Sequence, residues 1–352
     1  MSERPAHPLL FVGSAPPRSA GAVFDAISTH VGDLVGAVPD GDQSGWIVRA
    51  YKRLANHPQI DVMGAVEFYR GGTLKLPLLK VKPGVGRADL QLGPYGFGRV
   101  AEESYGEFKR RQSEGRFAPG TRFQVCLPTP LLCLQIFEHP MTEFLQAAET
   151  ALKEEVDGIV RAIPSEDLAI QWDVCEPVFE EVLRRPQDAP LLYAHRKKSD
   201  LPSLRVSLDS IARMAKAVPD GVSLGVHFCY GSAEDRHALE PVDTGLLVEF
   251  MNGVSERVAR RIDWMHFPVP IERDDGAYFA PLGNLRLHPE TRVYVGLLHK
   301  EDGVAGALRR ITAAKRFVAD FGVATECGLV QGCTLENYPA MLDLHREAAK
   351  LL

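Results

Sequence analysis

Short β-branched, apolar runs recur along the chain, over residues 9–14, 61–69, 122–128, 168–173, 222–229, 262–269, 292–299 and 321–327. Between most of them the apolar positions repeat at the 3.6-residue spacing of an amphipathic helix. The clearest cases are residues 141–162, 204–217, 243–260, 304–320 and 335–351. Strand-length runs with few polar interruptions suit strands covered on both faces, and their alternation with helices predicts a parallel sheet. Eight such runs favour closure into a (β/α)8 TIM barrel, read as a single domain over residues 1–352. An open doubly wound sheet has the same periodicity and remains the alternative. No Gly-x-Gly-x-x-Gly follows an early strand, so a dinucleotide site is not supported.

The segment before the third run breaks the alternation. Residues 71–120 begin with many Gly and Pro and read as an insertion over one end of the barrel. The tip LGPYGFG is either a substrate lid or a plain surface loop. A length of 352 residues fits one barrel with insertions as well as two smaller domains. The net charge is −6, and no basic cluster suggests a nucleic-acid surface. The apolar runs fall far short of the ~20 residues that cross a bilayer. The N-terminus lacks the basic and apolar regions of a signal peptide. Six cysteines are too few for a disulfide scaffold in a chain of this length, so reduced thiols and a cytoplasmic location are expected.

In a barrel, function collects at the carboxyl ends of the strands. Here those ends carry Ser14, Asp173, Cys175, Glu176, His227, Cys229, Tyr230, His266, His299, Glu326 and Cys327. The sharpest local signal is His227-Phe-Cys229, because residues i and i+2 of a strand share a face. A nitrogen and a thiolate side by side suit zinc, and Cys327 could complete the group from across the mouth. The spacing matches no short zinc-finger pattern. A buried, apolar Cys229 beside a hydrogen-bonded core His227 is the competing reading. Cys126 and Cys133 read as buried packing residues, and Cys175 and Cys333 as reserve ligands.

The same residues carry a resemblance. FVGSAPPRS, IQWDVCEP, HFCYG and ECGLVQG follow one another from Phe11 to Cys333. In that order they resemble the strand ends of the catalytic barrel in the cobalamin-independent methionine synthase family. That family belongs to a wider superfamily with uroporphyrinogen decarboxylase. The resemblance implies a Zn2+ cofactor with His227, Cys229 and Cys327 as ligands. The family's further ligand, a glutamate, falls on Pro268, which has no donor atom. His266, two residues earlier, or Glu272, just beyond the strand, is the expected replacement. Asp173 matches the aspartate that holds the substrate's amino group. Glu176 is displaced by a two-residue insertion, since Asp-Glu-Pro becomes Asp173-Val-Cys-Glu176-Pro177. The family's additional N-terminal barrel has no counterpart in this length, so homocysteine and methyl-folate are not implied. The segment Pro39-Asp-Gly-Asp42 resembles one in stand-alone, single-barrel members, although its aspartates also suit a plain turn.

The expected function is therefore methyl or alkyl transfer to a small thiol activated on zinc. Asp173, Glu176 and His299 are the candidate catalytic groups. Ser14, Arg18, Tyr230 and Gln331 are the candidate substrate contacts. Small molecules are the expected partners, with no nucleic acid and no membrane, and oligomeric state is not readable. A zinc lyase or hydrolase, in which water replaces the thiol, and a non-enzymatic metal- or ligand-binding barrel remain as alternatives.

Overall fold

The computed structural model describes residues 7–42, 45–68, 72–194, 196–231, 237–330 and 332–352. The elements begin with α1 (Ala20–Val31), β1 (Ala37–Pro39), α2 (Ile47–Ala55), β2 (Ile60–Glu67), β3 (Lys75–Val81) and α3 (Phe97–Ser113). Next come β4 (Arg122–Pro128), α4 (Pro130–Leu134), α5 (Leu145–Ala162), β5 (Leu168–Val174), α6 (Glu176–Arg184), α7 (Leu191–Ala194) and α8 (Leu204–Ala217). The last are β6 (Ser223–Phe228), α9 (Gly245–Arg257), β7 (Trp264–Pro268), α10 (Gly276–Phe279), β8 (Arg292–Leu298), α11 (Gly303–Ala314), β9 (Gly322–Thr325) and α12 (Tyr338–Ala349).

Seven strands form one curled parallel sheet in the order β1-β4-β5-β6-β7-β8-β9. Burial explains why β4 to β8 are apolar almost throughout: nearly every residue in them is covered on both faces. Leu9 forms isolated parallel bridges with Val35, just before β1, and with Val323 of β9. The first apolar run thus lies between the two edges of the sheet, although only one of its residues is paired. Outside the sheet, helix packing runs α1–α3–α5–α8–α9. It continues through the turn Ala280–Asn284 and α10 to α11 and α12, and returns to α1.

One expected strand belongs elsewhere. Residues 60–67 are indeed extended, but β2 pairs antiparallel with β3 in a separate two-stranded sheet. The burial pattern gives the reason. Val62 and Met63 of β2 are about half exposed, which a strand enclosed by helices would not allow. The parallel sheet has β1 beside β4 at its edge instead, and the three residues of β1 are too few for periodicity to show. The tip of the expected excursion packs against the helix layer. Tyr95 is fully buried, and the Gly96 and Gly98 N–H groups donate to the Glu155 carboxylate on α5.

Inside the curl, large rings on one strand fill the space left by glycines on the next. Trp264 is the direct partner of Gly225, and Tyr294 of Gly322. They pack with Leu10, Val12, Ala37, Ala169 and Ala324. Above this layer Gln171 links core to mouth. Its side chain accepts from Trp264 Nε1 at 3.1 Å and donates to Val12 O at 2.7 Å and to Asp173 Oδ1 at 2.8 Å.

His345 on α12 is buried against Phe11. Its Nδ1 donates to Met341 O at 2.7 Å, and its Nε2 has no partner. Burial lowers its pKa to about 4. Unfolded chain therefore binds a proton that folded chain refuses between about pH 4 and 6.5, so stability falls as pH drops through that window. Urea unfolding should lose about 2 kcal/mol to this group between pH 7.5 and pH 5. A His345→Leu chain should lack that part of the decline, and an unchanged pH slope would refute the assignment.

Candidate functional site

Parallel strands place their carboxyl ends on one side of the sheet, and register decides which side chains meet there. Asp173, His227 and His266 are consecutive partners across β5, β6 and β7. Cys229 follows directly after β6, two residues beyond His227. Cys327 follows β9. Ligand atoms of His227, Cys229 and Cys327 all lie within 4.8 Å of one another, with the His and Cys229 buried and Cys327 partly so.

His266 is not part of that group. Its Nδ1 is 2.7 Å from His227 Nδ1, and its Nε2 is 3.0 Å from Thr325 O. Gly296 allows this reach, since a Cβ there would stand 2.6 Å from His266 Nε2. A carbonyl only accepts, so His266 Nε2 carries the proton. Burial, and then the neighbouring His227, hold the His266 pKa well below normal, so the ring is neutral and its Nδ1 accepts. His227 Nδ1 must then donate. Burial would lower the His227 pKa, but Cys229 and then Asp173 raise it; in the neutral ring that a metal ligand requires, Nε2 carries the lone pair. That atom is buried and makes no well-formed hydrogen bond. An orphaned imidazole nitrogen beside two thiols fits zinc in donor type and spacing.

The thiols themselves are electrostatically linked. Cys229 is held well below the usual thiol range, first by hydrogen bonding from Cys175 and Cys327 and, against the effect of burial, by His227. The Gly231 N–H donates to Cys229 Sγ at 3.2 Å.

Two cavities flank Cys327. The larger, of about 660 Å³, is bordered by Ser14, Trp46, Phe68, Asp173, Cys175, His227 and Cys229, among others. Thr73, Leu74 and Leu76 from the β2–β3 hairpin also line it, so the hairpin covers this side of the mouth. Burial raises the Asp173 pKa to about 7, with His227 and Gln171 pulling the other way. The second cavity, of about 350 Å³, is bordered by His237, Glu272, His299, Lys300, Glu326 and Cys333. Glu326 lies 3.1 Å from His237 Nε2 and 3.7 Å from His299 Nδ1. Burial would lower the His237 pKa, but Glu240 and Glu326 raise it to about 10, so it is a cation between two carboxylates.

The remaining expected site residues are scattered. Ser14 lines the larger cavity. His299 lines only the smaller one, and its Nε2 lies 2.9 Å from Val269 O. Glu272 is exposed at the rim of that smaller cavity and outside the His–Cys–Cys group. Glu176 opens α6, fully buried and outside both linings. Burial lifts its pKa to about 7, partly offset by Thr129. Tyr230 is fully buried against His237 and lines neither cavity. Arg18 is exposed and lines neither. Gln331 falls outside the described residues.

Sequence reading took Asp42 for a turn residue and passed over Arg49. Arg49 Nη1 contacts both carboxylate oxygens of Asp42, at 3.1 and 3.0 Å, and Asp42 lines the larger cavity. Asp40 beside it is raised to about 7 by burial and then by Asp42. The Pro39-Asp-Gly-Asp42 segment was the available signal, but an aspartate in such a segment is equally a turn residue. Glu326 was visible only as a polar strand end, and His237 had no spacing pattern to reveal it.

No protein-family model matches the chain, and no curated protein matches its sequence. Solved structures do. A B12-independent methionine synthase from Shewanella sp. W3-18-1, in complex with selenomethionine, superposes with a TM-score of 0.63 at 15% identity. The match covers 98% of this chain and 97% of that one. A protein from Listeria monocytogenes taken to be a vitamin B12-independent methionine synthase gives 0.56 at 14% identity, covering 95% and 86%. A methyltransferase from Methanosarcina mazei gives 0.50 at 13% identity, covering 99% and 94%. At these identities the likeness establishes a shared fold. Among the described residues no helix is long and apolar enough to cross a membrane.

Proposed function

We propose that the chain is a zinc-dependent transferase that places a methyl or other alkyl group on the sulfur of a small thiol. The carrying observation is the orphaned Nε2 of His227 beside the thiols of Cys229 and Cys327, at the carboxyl ends of parallel strands and open to a cavity of small-molecule size. A methionine synthase, a protein taken to be one and a methyltransferase among the structural neighbours support this choice of reaction class. The same reading takes residues 1–352 as one (β/α)8 barrel domain, with the Leu9 segment as its first strand between β9 and β1.

His227, Cys229 and Cys327 would hold the metal, and His266 would orient His227 through its ring hydrogen bond. A zinc ion held there would supply the Lewis acidity that keeps a substrate thiol ionised at neutral pH. Asp173, fixed by Gln171, presents its carboxyl to the cavity and receives a substrate ammonium group. A bound cation there favours the ionised carboxyl that burial otherwise opposes. Ser14 offers a hydroxyl in the same cavity. Glu176, sealed away from both cavities, secures the start of α6. Arg18 has no part in this reading. The chemistry needs reduced thiols, and hence a reducing compartment.

The test is elemental analysis of the full chain purified without chelators or an affinity metal, followed by a methyl-donor screen against small amino thiols. About one zinc per chain is expected. Asp173→Asn should keep that zinc and raise KM for amino thiols by about tenfold or more, the loss of a charged hydrogen bond. A folded protein that neither contains nor takes up zinc would sink the reading.

A further inference from the structure

Zinc held by protein thiolates is four-coordinate, and three side chains leave one position to fill. The β7 side of the site cannot fill it. His227 is level with His266, so continuing the register brings Pro268 level with Cys229, and proline has no donor atom. One layer below, both nitrogens of His266 are committed, to His227 and to Thr325 O. The β5 side is different. Val174 is the partner of Phe228, and the Cys229 N–H donates to Val174 O at 2.8 Å. Cys175 therefore comes level with Cys229 on the adjacent strand.

Two further observations place this thiol beside the centre. Cys175 and Cys229 pack together with Leu132, with Cys327 against them. All three cysteines and His227 border the same cavity. The geometry points to Cys175 as the fourth protein ligand, making a three-cysteine, one-histidine zinc centre supplied by the ends of β5, β6 and β9. This assignment rests on the zinc reading above, with Cys175 as the ligand that would give up its position to the substrate thiol. Cys175 lies outside the 4.8 Å group formed by the other three donors, so ligation requires its sulfur to move in toward them. The dipeptide Val174-Cys175 thus has a purpose: it carries β5 past Asp173 to a donor atom at the level of Cys229.

The test is Co(II) binding to the metal-free full chain, because the intensity of sulfur-to-cobalt charge-transfer absorption counts thiolate bonds. X-ray absorption of the zinc-loaded chain supplies an independent count. Wild type should show three thiolates, Cys175→Ser two, and His266→Phe three. Two thiolates in wild type, or an unchanged count in Cys175→Ser, would overturn the Cys175 assignment and leave the zinc reading standing. Folded wild type that takes up no Co(II) and no zinc would overturn both. The wild-type count is decisive by itself if the variant does not fold.

Discussion

Serine in place of Cys229 is expected to weaken zinc binding by about 10²–10³-fold. Structural zinc sites bind with about 10–16 kcal/mol, which is about 2.5–4 kcal/mol for each of four ligands. The same loss is expected for Cys327→Ser. Serine at 229 keeps an acceptor for the Gly231 N–H, so the fold should survive and the loss should be specific to the metal. His266→Phe makes a graded control. It removes the acceptor of His227 Nδ1–H together with the donor to Thr325 O, and the cost of losing such outer hydrogen bonds is about 10–100-fold. Competition titration against a chromophoric chelator measures all three. Equal affinity in Cys229→Ser and wild type would show that the triad does not hold zinc.

Gly225→Ala is expected to cost at least about 3 kcal/mol, and the chain carrying it should unfold well below the wild type in urea. Overpacking in a core ordinarily costs about 1–3 kcal/mol because neighbours can shift. Here a Cβ would stand 1.9 Å from Trp264 Cε2, with two more ring atoms within 2.3 Å. The ring cannot yield easily, since its Nε1 is tied to Gln171 and Gln171 in turn holds Val12 O and Asp173. The double variant Gly225→Ala, Trp264→Leu should recover part of the loss, a coupling that neither single change predicts. Additive effects in the pair would mean that the ring and the glycine do not share one space.

Much of this fold was legible because fully enclosed strands leave continuous apolar runs, and six of the seven sheet strands had them. β1 was not legible: three residues carry no period, and their place is fixed by pairing with β4. β2 was legible as a strand but not as part of a hairpin, because its pairing with β3 depends on a partner inside the irregular stretch. At the site, His227 and Cys229 were visible from their i, i+2 spacing, and the resemblance supplied Cys327. The position of His266 was not visible, because its neutral ring is set by Thr325 O from a distant strand. Cys175 was visible as a thiol near the mouth, but its level beside Cys229 is a matter of register, which composition does not encode. Asp42 was masked by the turn chemistry of its neighbours.

Cys327 borders both cavities. A sulfur set in the wall between two chambers can be approached from either, so occupancy of one chamber does not bar traffic through the other. For a transfer between two small molecules, that layout is a kinetic statement. Donor and acceptor can be resident together, in either order of arrival, and initial-rate plots should intersect as they do for a ternary complex. Parallel lines, the sign of one reactant leaving before the next can enter, would not be expected of such a pair of chambers.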